Sequence, residues 1–177
     1  MVDIIPNWHP ILVHFTVSFV ALTGALQLFA WLRPSFTHNG AFQTAKKWLV
    51  VISAFAVVAT VVAGLQAYNT VAHDEPSHLA MTDHRNWAFA TAAIFLLGAT
   101  LFFILPARRQ LLAGSCFIAA LMLVTVTGFK GGELVYRHGL GVMSLPQVEN
   151  GGEGHNHAAG DHDHAETEPA SVGAHDH

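Results

Sequence analysis

Residues 10–32 read PILVHFTVSFVALTGALQLFAWL, and from Pro10 to Leu32 the run contains no Asp, Glu, Lys or Arg. A helix needs about 20 such residues to cross the roughly 30 Å hydrocarbon core of a bilayer. Three more apolar runs follow: Trp48 to Ala72, Trp87 to Leu105 (which stops before Pro106), and Leu111 to Phe129. Each is about 19 to 25 residues long, the length of a spanning helix. A transmembrane barrel would instead show short alternating segments. The sequence therefore predicts an all-α protein, a four-helix transmembrane bundle.

Composition agrees. Of the 177 residues, 52% are hydrophobic and 11% charged. A soluble domain carries about 25% charged residues. The net charge of -4 provides no basic field, so nucleic acid is not expected as a partner. The expected partner is the lipid bilayer. Cys116 stands alone inside an apolar run, where it reads as a small packing residue.

The N-terminus, Met1-Val2-Asp3-Ile4-Ile5, lacks a basic region, and the apolar run after it is too long for a cleaved signal. The first helix is expected to be retained, with Pro10 in its first turn, where a missing N–H is harmless. Orientation follows from the basic residues. The first and third connections hold Arg33, Lys46, Lys47, Arg108 and Arg109, whereas the other side holds Arg85, Lys130 and Arg137 among its acids. The positive-inside rule puts the first set in the cytoplasm and both termini outside, as expected for a bacterial inner-membrane protein facing the periplasm.

Gly131 and Gly132 are expected to end helix four, leaving Leu134-Val135-Tyr136 in the interface. Residues 1–146 form the predicted membrane domain. Residues 147–177 are rich in Gly, His, Asp, Glu and Ala, cannot build a core, and are expected to form a disordered tail. No long internal repeat is visible; the halves share only a helix pair joined by a basic turn.

The chain has 13 histidines against 8 Lys and Arg together. Outside the tail they are His9, His14, His38, His73, His78, His84 and His138, and all but His38 fall at the outer ends of helices. Histidine is the common ligand of metals and haem. His14 sits about one turn inside helix one, and an ionisable residue within a span usually points inward. Its face continues through Ser18, Ala21 and Ala25, small residues that leave room for close packing or a flat cofactor. His84 is expected to open helix three, with Ala88, Thr91, Phe95 and Gly98 on its face. Ser53, Thr60, Gly64 and Ala67 line helix two; Gly114, Thr125 and Gly128 line helix four. His73 and His78 are assigned to an exposed loop.

Facing histidines and small residues suit an axially ligated haem in a bundle. His14 and His84 are the expected ligands of a haem b near the outer face, with His9 and His138 as second choices. Glu133 and Arg137 are expected to pair with haem propionates or orient a ligand. The tail carries His155, His157, His162, His164, His175 and His177 as His-x-His pairs, which bind transition ions loosely. No phosphate-binding loop, dinucleotide fingerprint, nucleophile elbow or Cys-x-x-Cys-His is present.

Three motifs carry a resemblance: His9-Pro10-x-x-x-His14-Phe15, His84-x-Asn86, and Gly131-Gly132-Glu133-Leu134-Val135-Tyr136 with Gly139 and Val142. Together they resemble the bacterial family catalogued as domain of unknown function 2231, over about Asn7 to Val142. The resemblance implies a four-helix inner-membrane domain with no established activity. Relatives that carry a Rieske or cytochrome module on the same chain imply redox work. The family usually has proline after His-Phe, where this chain has Thr16.

Three functions stay open. The first is electron transfer through a bis-His haem b, exchanging electrons with a quinone or a periplasmic redox protein. The second is Cu or Zn binding or transport, using the tail. The third is a structural or assembly subunit of a larger complex or oligomer. An electron carrier or metal-binding protein is expected rather than a stand-alone enzyme.

Overall fold

The computed structural model describes residues 7–106 and 110–142. These fall in the first of the two units into which the chain divides, Met1–Met143. Arg108, Arg109 and the six tail histidines lie outside the described residues. Four helices form the described part: α1 (His9–Leu32), α2 (Gly40–Thr70), α3 (Glu75–Ile104) and α4 (Gln110–Tyr136), with a short 3-10 turn at Pro34–His38. All four are long and apolar enough to cross a membrane. No more than 33% of the apolar window of any helix is buried within the protein, so most of that surface meets lipid. Phe55, for example, is 75% exposed.

Local chemistry sets most helix ends. The Asn39 side chain accepts the backbone N–H groups of Ala41 and Phe42, capping α2. Asp74 caps α3 by accepting the Ser77 N–H at 3.0 Å. Pro106 stops α3, because a residue before proline avoids the helical region.

Three boundaries differ from the sequence expectation. α2 begins at Gly40 and α3 at Glu75, well before the apolar runs, because polar first turns extend each span past the hydrocarbon. His78 therefore lies on α3, and His84 sits in its third turn rather than opening it. α4 continues through Gly131 and Gly132 to Tyr136. Ion pairs from Lys130 to Glu133 (3.3 Å) and from Arg137 to Glu133 (3.3 Å) staple this last section. They help offset the weak helix propensity of glycine. The chain turns only at Gly139, whose φ of 62° suits glycine.

α3 packs most extensively on α4, α1 lies between α2 and α4, and α2 closes the ring against α3. The diagonal partners are thus α1 with α3 and α2 with α4. The core runs along the axis through Val20, Val50, Val57, Phe95, Phe117 and Val124, with the Phe95 and Phe117 rings 5.5 Å apart.

Candidate functional site

The inward face of α1 is built from Thr16, Val20, Thr23, Gly24, Gln27 and Ala30. His9 lies two turns before Thr16, and a spacing of seven keeps both on that face. His14 and Ser18 are exposed, so this row faces outward, contrary to the sequence expectation. The reason is local: the Nδ1–H of His14 donates to the Pro10 carbonyl of its own helix. A ring satisfied within its own turn has no need of a partner across the bundle.

His9 and His84 do converge. Their ring centroids are 6.3 Å apart with an interplanar angle of 80°. They come from diagonal helices, so they meet across the bundle axis near the end where α1 begins. Each is held by the neighbouring helix of its own pair. His9 Nδ1 donates to the Thr60 carbonyl of α2 at 3.3 Å. His84 Nδ1 donates to the Thr127 carbonyl of α4 at 3.1 Å. A carbonyl only accepts, so Nδ1 holds the proton and, in the neutral ring, Nε2 keeps its lone pair. A backbone carbonyl on Nδ1 is the usual way a ligand histidine is oriented.

The threonine hydroxyls repeat the pattern. Thr16 bonds Thr60 at 2.7 Å between α1 and α2. Thr91 bonds Thr127 at 2.8 Å between α3 and α4. Gly64 lies against the His9 ring and Gly131 against the His84 ring. The two helix pairs thus carry one set of residues twice: His and Thr seven apart on the first helix, Thr and Gly four apart on the second. This approximate two-fold repeat is stronger than the shared basic turn read from the sequence. The His–Thr and Thr–Gly spacings were its signal, hidden because the intervening residues differ.

The remaining predicted residues lie elsewhere. His138 follows α4, in the turn before Gly139. Glu133 sits between Lys130 and Arg137, and Lys130 also meets Asp83 at 3.1 Å. The Arg137 side chain is 71% exposed.

A second cluster, missed in the sequence, joins α2 to α3. The hydroxyl of Thr82 bonds Tyr68 at 2.9 Å, and Tyr68 bonds His78 Nε2 at 3.2 Å. His78 Nδ1 bonds His73 Nε2 at 2.9 Å, and His73 Nδ1 reaches the Val71 carbonyl at 2.6 Å. Since the last carbonyl must accept, with both rings neutral every link donates in one direction, from Thr82 outward to Val71. Arg85 lies over the Tyr68 ring at 4.5 Å.

The profile of a family described as "Predicted membrane protein (DUF2231)" matches residues 6–144, well over half of the chain. No curated protein matches the chain, and no solved structure does.

Proposed function

The chain belongs to the DUF2231 family of predicted membrane proteins, and from that premise we propose that it is a membrane electron carrier holding one haem b between His9 and His84. The observation that carries this reading is a pair of oriented imidazoles facing each other across the bundle axis. The donor set fits the group. A porphyrin supplies four nitrogens and needs only two axial ligands from protein. The ring centroids stand 6.3 Å apart, and both rings, with Nδ1 engaged by a carbonyl, keep the Nε2 lone pair that would hold the group. A protein-bound Zn or Cu ion usually takes three or four protein ligands. The described residues hold no cluster of three His, Cys, Asp or Glu able to bind one. The Cu or Zn reading therefore falls to the tail histidines.

His9 and His84 would hold the haem, which would supply one-electron exchange, and the Thr60 and Thr127 carbonyls keep the proton of each ring on Nδ1. The site lies at the end bearing Asp74, Asp83 and Glu133, opposite Arg33, Lys46 and Lys47. By the positive-inside rule this end faces the periplasm of a bacterial inner membrane. The electron partner is then a membrane quinone or an external redox protein.

Visible spectra of protein purified from haem-replete cells test the reading. A Soret band and a reduced α band are expected, lost in His9→Ala and in His84→Ala. Both bands persist in His14→Ala and after removal of residues 147–177. A colourless protein in which His9→Gln and His84→Gln are silent overturns the reading and leaves a structural or assembly role.

A further inference from the structure

Three cations stand at the outer end of the described bundle: Arg85, Lys130 and Arg137. Two are neutralised, Lys130 by Asp83 and Glu133, and Arg137 by Glu133. Arg85 has no carboxylate within ion-pair reach among the described residues, and its buried Nε has no hydrogen-bond partner there. Burying such a donor without an acceptor is costly, and native structures rarely leave one so.

The guanidinium is nevertheless held in place. It stacks on Tyr68 at 4.5 Å. The Tyr68 hydroxyl is pinned in turn by Thr82 and His78. A stacked guanidinium keeps its edge donors in a planar fork suited to a carboxylate. A braced cation with a free fork is thus an anion seat.

Its position says which anion. Arg85 follows His84 directly, and on α3 it turns toward α2 while His84 turns toward α4. The line joining the His9 and His84 rings crosses from α1 to α3. The directions perpendicular to that line lead to α2 and α4. On the α4 side the cation Lys130 is already paired; on the α2 side Arg85 is not.

We propose that Arg85, braced on Tyr68, binds a carboxylate of the planar macrocycle held by His9 and His84. This rests on the haem reading, and it assigns the propionate contact to Arg85 rather than to Arg137, whose charge Glu133 already meets.

Haemin and haemin dimethyl ester separate the possibilities, because the ester keeps the iron and the ring but loses both charges. The full chain in detergent is titrated with each, followed by the Soret band and by quenching of tryptophan fluorescence. Wild type is expected to prefer haemin over the ester by about ten-fold or more, the scale of a charge-assisted hydrogen bond. Arg85→Gln should lose that preference by weakening haemin alone, with ester binding unchanged; unchanged ester binding also reports an intact fold. Arg85→Lys should keep part of the preference, as a point charge without the fork. If Arg85→Gln prefers haemin as strongly as wild type, the assignment to Arg85 is overturned while the haem reading stands. If wild type binds neither compound, the haem reading fails and this inference with it.

Discussion

Gly64 lies so close to the His9 imidazole that a β-carbon there would come 3.1 Å from both Cε1 and Nδ1. Gly131 does the same for His84, at 3.2 Å from Cε1. At this distance the ring must give way by a few tenths of an ångström. Gly64→Ala and Gly131→Ala are therefore expected to displace an imidazole while leaving the helices intact. Circular dichroism should be unchanged, while on the haem reading proposed above the Soret position or haem retention shifts in each. Unaltered spectra in both would show that ring placement is not set by these contacts.

The hydroxyl bonds between Thr16 and Thr60 and between Thr91 and Thr127 tie each helix pair together. Such bonds within membranes contribute about 0.6 kcal/mol on average. A double-mutant cycle of Thr16→Val and Thr60→Val should show coupling of about that size in detergent unfolding. Thr91 and Thr127 can each give their single hydroxyl proton to a carbonyl of their own helix, Trp87 and Leu123, so their cycle should show weaker coupling.

Lys46, placed in a loop by the sequence reading, is 8% exposed on α2, donates to the Gln27 side chain and lies 5.2 Å from the Phe102 centroid. Removing one partner of a buried polar pair leaves the other unsatisfied, at a cost of about 1–3 kcal/mol. Gln27→Leu should therefore destabilise more than Lys46→Met. The double variant should regain part of the loss, as read by thermal unfolding in detergent. A double variant as unstable as the sum of the singles would argue against the pairing.

Asp74 provides a pH test outside the spans. The nearby Ser77 hydroxyl, and then the Ser77 N–H that its carboxylate accepts, hold its pKa below the ordinary 3.8. With the folded value depressed, this stabilisation is fully present above the unfolded value and fades as pH falls through the folded one. Protection of the Ser77 amide should therefore weaken below about pH 4, near the reference carboxyl value. Asp74→Asn should keep the cap but lose that pH dependence, and Asp74→Ala should fray the start of α3 at all pH values.

The four spans were legible because bilayer thickness demands long apolar runs, and Pro10–Leu32 can do little else in water. The boundaries at Gly40, Glu75 and Tyr136 were less so. Polar first turns and a glycine pair carry no hydropathy signal, and capping bonds and ion pairs decide them. Grouping most of the described histidines at one end of the bundle was also within reach, since the order of the spans puts them there.

Which histidines meet was not. His14 looked like the inward residue because a span rarely exposes an ionisable group, yet a carbonyl of its own helix satisfies it. Helical rotation is set by packing against the two neighbouring helices, and one helix read alone does not reveal its inner face. Sequence by itself therefore determined a bundle of four membrane-spanning helices, because that follows from hydrophobicity summed along each segment. Tertiary structure alone decided the His9–His84 pair, its Thr60 and Thr127 supports and an Arg85 without an ion-pair partner among the described residues, because these depend on contacts between helices many residues apart.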